Sequence, residues 1–309
     1  MTPPIGRLYR VLYLGICVGL AAIPEPAAAH GVAGQRFFPT TFAVDDPFMN
    51  DELSLLLHSI EMSGEGGGPR VRTTSLGLGF SKRILPGFGI ELDEEYLWLH
   101  SAGDGTESGF GNLAVTLKYQ FFTSAVHETI LSFGVSGDIG GTGSSKVGAE
   151  SFSTISPTFF FGKGLGDLPS SMAFLRPLAV TGVVGPNFPT RATTRGVENP
   201  TTLTWAFTVQ YSLMYLQSAV KDVGLGAPFN RMVALVELPL QTCLDADCGG
   251  QTTWTVNPGV AWIGKHMELG AAAEIPVNPQ PGTGIGVFVL LHVFLDDLFP
   301  GSIGRPIFQ

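Results

Sequence analysis

The chain of 309 residues carries a net charge of −9 at pH 7 and has 14% charged residues, 41 glycines and 22 phenylalanines. This acidic balance argues against a nucleic acid as partner, because nucleic-acid-binding surfaces are basic. Apolar residues are abundant, yet beyond the N-terminal region no stretch approaches the roughly 20 apolar residues that cross a bilayer as a helix. Composition therefore excludes a bundle of membrane-spanning helices and fits transmembrane strands, in which apolar residues are dispersed at alternate positions.

The first 29 residues have the three parts of a cleavable export signal. Arg7 and Arg10 precede an apolar run from Val11 to Ile23, and three alanines follow at 27–29. A membrane anchor is the lesser alternative, because the run is shorter than roughly 20 residues and prolines follow it. We expect residues 1–29 to be removed, which leaves a mature chain with a net charge of about −10.

Residues 30–50 show no hydrophobic alternation and are predicted to be a periplasmic lead-in or a plug folded into the lumen of a barrel. Cleavage after position 29 would make His30 the first residue, so its amine and imidazole could together chelate copper. A third ligand would be needed, and no other histidine has a spacing that selects it. Copper binding at His30 is therefore a minor alternative.

A period of two in hydrophobicity marks the predicted strands. From Leu203 to Tyr215, apolar and aromatic side chains occupy every odd position, and smaller or more polar side chains occupy most even ones. The stretch 112–121 repeats this pattern, which would leave a helix without an apolar face. Weaker copies are predicted at 51–62, 71–82, 88–100, 127–138, 150–162, 171–184, 231–241, 252–264, 266–276 and 285–296.

These segments predict an all-β fold, a closed antiparallel transmembrane β-barrel of about twelve strands over residues 51–296. An even-numbered closed barrel leaves no lipid-exposed edge with unpaired backbone groups. A water-soluble β-sandwich or barrel is the alternative, and aromatic residues near the strand ends favour the membrane barrel.

The connections on the side away from the termini are mostly the longer ones, as outer-membrane barrels require. The stretch 217–230 departs from this, so either a strand boundary is misplaced or that turn has its own structure. Cys243 and Cys248 lie in a predicted outer loop and are expected to form a disulfide in an oxidising compartment; a metal pair is the alternative. The tail 297–309 is broken by prolines and glycines, and Phe308 stands next to its end.

The middle of the chain resembles the phenol-degradation (MetA-pathway) family of outer-membrane barrels, which is similar in outline to the hydrophobic-compound and fatty-acid transporters. The resemblance lies in Gly109 to Tyr119, the loop 140–148 and Phe159 to Gly166, and it covers residues 71–184. It implies a barrel that passes or binds small apolar or aromatic molecules, with no transferable catalytic residues. A last strand that ends in an aromatic residue is usual in such barrels, and the broken tail departs from it.

The predicted lumen carries the candidate ligand-binding residues. Glu91, Asp93 and Glu95 share one face of the strand 88–100, where they could bind a cation or form a hydrated wall balanced by Lys118 or Arg72. Glu94 falls on the lipid side, which a bulge would explain. His292 is the remaining candidate and is expected to pack in the lumen rather than act as a ligand.

We expect a channel or binding barrel rather than an enzyme, and no cofactor. An acyl-transferring barrel built on Ser132 and His100 is the catalytic alternative, without a supporting motif. The expected partners are outer-membrane lipid and a small, apolar or aromatic compound. A structural role, holding a periplasmic protein at 30–50 or 217–230, is the other alternative.

Overall fold

In a computed structural model, the chain folds into a closed antiparallel barrel. The structure describes residues 31–62, 70–101, 105–278, 281–282 and 284–308, so the predicted signal peptide and His30 lie outside the described residues. The barrel strands are β1 (Glu52–Met62), β2 (Val71–Leu85), β3 (Phe88–Ser101), β4 (Gly105–Phe110 and Ala114–Ser124), β5 (Thr129–Asp138), β6 (Thr154–Gly164), β7 (Leu178–Pro189), β8 (Thr202–Ser212), β9 (Met232–Cys243), β10 (Thr252–Ile263), β11 (Met267–Pro276) and β12 (Gly286–Phe294).

Each strand pairs with its neighbours in sequence, and β12 closes the barrel on β1 from Val287 opposite Ser59 to Phe294 opposite Glu52. The two segments of β4 pair with successive parts of β3, so they form one interrupted strand and the barrel has twelve. The prediction of a closed antiparallel barrel with about twelve strands is therefore confirmed.

Strand β4 is interrupted opposite Glu94. Phe110 lies opposite Tyr96, and Ala114 lies opposite Asp93, so three residues of β4 face two of β3. The amide of Gly111 still donates to the carbonyl of Glu95 at 2.8 Å. The bulge predicted in β3 at Glu94 is absent, because β3 pairs with β2 in regular register from Gly89 to Ser101, and the irregularity lies in the neighbouring strand.

The outer wall is apolar. In β8, Ala206, Thr208 and Gln210 are buried inside, while Val209 on the outer face is 42% exposed. Many large apolar side chains on the other strands are exposed in the same way, including Leu76, Leu117, Tyr119, Phe133, Val184, Leu269 and Val289. This is the surface that a lipid-embedded barrel presents. Among the described residues, no helix is both long and apolar enough to cross a bilayer.

The first and last described residues, 31 and 308, lie at one end of the barrel, which we call the periplasmic end because outer-membrane barrels have this orientation. Two connections at this end are long. The connection after β6 contains a 3₁₀ helix, Ser170–Leu175, so the predicted strand at 171–184 was placed too early and lies at 178–189. The connection after β8 forms the helical turns Leu213–Tyr215 and Leu216–Val220, so the stretch 217–230 has its own structure.

At the extracellular end, Cys243 and Cys248 form a disulfide with sulfur atoms 2.07 Å apart. The C-terminal tail returns to the periplasmic end of β2, where the amides of Ile307 and Phe308 donate to the carbonyls of Arg83 and Ile84. This part of β2 extends beyond the first residue of β1, so the tail covers backbone groups that β1 does not reach. The aromatic residue that ends the last strand is Phe294, not Phe308.

We predict that Val209→Lys destabilises the folded barrel in phospholipid vesicles by about 2 kcal/mol or more, because it places a charge on the lipid-facing wall. Urea titration of the folded fraction measures this. Thr204→Lys is the matched control, since Thr204 lines the lumen. Equal destabilisation by the two substitutions would contradict the assignment of the faces.

Candidate functional site: a plugged lumen with an acidic vestibule

The segment 31–51, which we call the plug, lies inside the barrel at its periplasmic end. It begins with a small hairpin, in which Val32–Ala33 pairs with Arg36–Phe37. Phe38, Phe48 and Ala33 then pack with Ile130 and Ala179 of the wall in one buried cluster. Apolar side chains of the plug thus replace the water that a barrel of this width would otherwise hold.

Glycines in the wall provide the space for the plug side chains. The ring of Phe42 packs in a cluster with Phe288 and Leu290, and a Cβ added to Gly270 would lie 2.7 Å from two of its ring atoms. A Cβ at Gly89 would likewise collide with the side chain of Met49. These strand glycines therefore permit a close approach between wall and plug.

Side chains of the wall accept hydrogen bonds from backbone amides of the plug. Because the plug forms no ladder with the wall, its buried amides need other acceptors. The Glu237 carboxylate of β9 accepts from the amides of Phe42, at 2.7 Å, and Ala43, at 3.1 Å. Glu268 of β11 accepts from the amide of Thr40 at 3.2 Å. The two buried glutamates therefore fix the turn of the plug that crosses the lumen.

A charged group on the opposite wall holds the next part of the plug. The ammonium of Lys118 lies 2.8 Å from the Glu91 carboxylate and donates to the carbonyl of Asp46 at 3.2 Å. It also sits 4.6 Å from the centre of the Phe160 ring. Burial raises the pKa of the Asp46 carboxyl well above its usual value, and Lys118 only partly opposes this.

The end of the plug is held by an ion-pair network. The Asp51 carboxylate is fully buried and lies 2.7 Å from the Lys82 ammonium and 2.8 Å from the Arg83 guanidinium. Next to it, His292 is buried between Ser54, at 2.7 Å, and the Glu52 carboxylate, at 3.3 Å. His292 is therefore a buried, hydrogen-bonded residue of the periplasmic end.

Above the plug lies a cavity of about 770 Å³, which we call the vestibule. Its floor is Thr40–Asp46 of the plug, and its walls rise to Asn112 in the interruption of β4 and to Gln241 and Pro281 near the extracellular end. Of the described residues that line it, one is basic, Lys118, and eight are acidic: Asp45, Asp46, Glu52, Glu91, Asp93, Glu94, Glu95 and Glu274. The wall also carries apolar side chains, among them Leu56, Val183 and Leu290.

The structure brings four of the predicted lumen residues together. Glu91, Asp93, Glu95 and Lys118 all line the vestibule, whereas His292 does not. The Lys118 ammonium pairs with the Glu91 carboxylate at 2.8 Å. The other counter-charge considered from the sequence, Arg72, lies 3.6 Å from Glu61 near the extracellular end instead.

Other candidates of the sequence fall outside this site. His100 bonds to Thr106 at the extracellular end of β3, and Ser132 donates to the carbonyl of Pro47 in the plug, so the two do not form a catalytic pair. No group of three His, Cys, Asp or Glu residues in the described part of the chain could hold a metal ion.

Four residues that hold the plug in place were not predicted from the sequence: Arg36 and Asp51 of the plug, and Glu237 and Glu268 of the wall. Glu237 and Glu268 carried a signal, because each is an acidic residue on the inward-facing side of a predicted strand. A charge at such a position requires either water or a partner. What the sequence did not indicate was that the partner is a segment about 190 to 230 residues away.

Solved structures of outer-membrane barrels resemble this chain. The COG4313 outer membrane channel from Pseudomonas putida F1 has 13% sequence identity, covers 84% of this chain and 99% of its own, and gives a TM-score of 0.52. The NanC porin has 7% sequence identity, covers 78% of this chain and 98% of its own, and gives a TM-score of 0.48. The KdgM porin has 13% sequence identity, the same two coverages and a TM-score of 0.41. No protein-family model and no curated protein sequence matches. The likeness to the COG4313 channel supports the barrel fold.

We predict that Gly270→Val weakens plug docking by about 1–3 kcal/mol, because the added methyl groups overpack the recess that holds Phe42. Hydrogen exchange of the Phe42 and Ala43 amides should become about ten- to a hundredfold faster. Gly77→Val is the control, since a Cβ there meets its nearest neighbour only at 3.7 Å. Unchanged exchange in the Gly270 variant would show that the recess does not hold the plug.

Proposed function

We propose that the exported chain is an outer-membrane channel for small molecules, closed at rest by the plug, and that its vestibule selects cations. The cargo that fits best is a small organic cation with an apolar or aromatic portion. The observation that carries this proposal is the lining of the vestibule, in which eight residues are acidic and one is basic.

The single basic residue does not offset this charge. Lys118 is 2% exposed and already lies between Glu91 and the plug, so its charge is used within the wall. Asp93 and Glu95 lie further up the same strand, on the same face as Glu91. Carboxylates facing a confined lumen attract cations and exclude anions, as rings of acidic side chains do in cation channels.

The apolar part of the wall supports the aromatic or apolar character that the family resemblance implies. The inward-facing side chains of Leu56, Val183 and Leu290 line the vestibule. Sites for small molecules commonly combine such apolar surface with a few charged groups that fix orientation. A cation with an aromatic ring would use both features, whereas a neutral apolar compound would leave the carboxylates without a partner.

A periplasmic protein partner at 30–50 or 217–230 stays a prediction. Most of the first segment is buried in the lumen, which leaves little of it for a partner. The second exposes Val223 and Phe229 at the periplasmic end, and these two side chains are the surface to alter in a pull-down experiment.

We predict that openings of the reconstituted protein in planar bilayers are cation-selective. Under a gradient of benzyltrimethylammonium chloride, the reversal potential should report a preference for the organic cation over chloride. Asp93→Asn with Glu95→Gln should reduce that preference severalfold, because two of the lining carboxylates lose their charge.

Glu107→Gln is the control, since Glu107 is an exposed residue near the extracellular end of β4 and does not line the vestibule. Anion selectivity of the unaltered protein, or no current under any condition, would refute the proposal. An unchanged reversal potential in the double variant would show that selectivity arises elsewhere.

A further inference from the structure

A buried cluster at the periplasmic end joins the plug to the parts of the barrel that lie outside the sheet. Arg36 of the plug hairpin, Glu128 of the turn between β4 and β5, and Tyr215 of the connection after β8 are its members, and all three are buried. None of them lines the vestibule. The cluster is therefore distinct from the site that would select the cargo.

Each of the three guanidinium nitrogens of Arg36 donates a hydrogen bond to a residue outside the barrel strands. Its Nε donates to Glu128 at 3.1 Å, Nη1 donates to the carbonyl of Pro177 at 2.8 Å, and Nη2 donates to the carbonyl of Arg176. Its plane lies 3.9 Å above the centre of the Tyr215 ring. One plug residue thus binds three separate periplasmic segments.

Glu128 and Tyr215 complete the cluster. The Tyr215 hydroxyl donates to one oxygen of Glu128 at 2.7 Å, and the amide of Gly166 donates to the other at 3.0 Å. Burial, followed by the hydrogen bond to Glu128, raises the pKa of Tyr215 to about 12, so the hydroxyl keeps the proton that it donates. Because both carboxylate oxygens face donors, replacing either by an NH₂ group would leave donors facing a donor.

The long periplasmic connections supply most of the other partners in the cluster. Gly166, Arg176 and Pro177 belong to the connection after β6, and Tyr215 belongs to the connection after β8. The other plug contacts described above are with strands of the wall or with residues next to them. Arg36 instead contacts connections outside the sheet, which can move without breaking the barrel.

We propose that Arg36, Glu128 and Tyr215 form a lock through which the periplasmic end controls release of the plug. The inference rests on the proposed function only in that release opens a channel. Opening is then governed by the two long periplasmic connections, and cargo selection by the acidic vestibule at the other end.

The test uses the full chain with Ala33→Cys as a reporter, because Ala33 lies in the plug hairpin and is 1% exposed. Cys243 and Cys248 are bonded to each other, and the third cysteine, Cys17, lies in the predicted signal peptide that export removes. A membrane-impermeant maleimide then reports release of the hairpin. In parallel, planar-bilayer recordings report the open fraction, and heat-modifiable migration reports that the barrel is folded.

Arg36→Ala should raise the labelling rate and the open fraction about tenfold or more, since it removes a charge-assisted network from a buried site. Arg36→Lys and Tyr215→Phe, which keep the charge or the ring, should give intermediate rates. Arg70→Ala is the matched control, because Arg70 is exposed and pairs with Glu61 at the extracellular end.

Labelling in all three lock variants that equals the Arg70→Ala rate would overturn the lock. Faster labelling without any rise in current would support the lock and refute the channel. The two proposals therefore fail in different ways.

Discussion

Closing twelve strands into a barrel creates an interior that the wall side chains cannot fill. About eight strands are the limit at which inward side chains meet, so a wider barrel must hold water, a ligand or another part of its own chain. This protein uses its N-terminal segment at the periplasmic end and leaves a cavity of about 770 Å³ above it. The glycine recesses and the proposed lock hold the plug in the lower part of the lumen, and the vestibule is the part that the plug leaves open.

The lumenal charges fall into two groups. Glu237 and Glu268 accept hydrogen bonds from the plug backbone, and Lys118 joins Glu91 to the plug. Asp93 and Glu95 face the cavity above the plug. A buried carboxylate needs hydrogen-bond donors, whereas a carboxylate that faces a water-filled cavity attracts cations.

The barrel wall was predictable because its cause is local. Lipid on one side and lumen on the other impose a period of two, which the sequence displays from Leu203 onwards. The predicted strand ran on to Tyr215, but β8 ends at Ser212 and Leu213–Tyr215 is helical, so the alternation at its last three residues was misleading. The strand boundary at 171 failed because the 3₁₀ helix Ser170–Leu175 carries Met172 and Phe174, whose apolar side chains resemble those of a strand. Phe174 is 58% exposed at the edge of the barrel, not part of its wall.

The plug and its docking were not predictable in the same way. Residues 31–51 have no period, so their position depends on contacts with side chains such as Glu128 and Glu237 that are remote in sequence. The acidic face of Glu91, Asp93 and Glu95 could be predicted from the alternation, but the excess of acidic over basic residues around the vestibule could not. The sequence offered Arg72 as a counter-charge, and only the fold shows that Arg72 pairs with Glu61 instead.

We propose that the plug closes a lumen that would otherwise conduct. Planar-bilayer currents of the whole protein should be compared with those of a chain that lacks residues 31–50. The shortened barrel should fold, conduct continuously and keep its cation selectivity, whereas the whole protein should open rarely. A shortened barrel that is folded and remains closed, or a whole protein that conducts equally well, would show that the plug does not close the lumen.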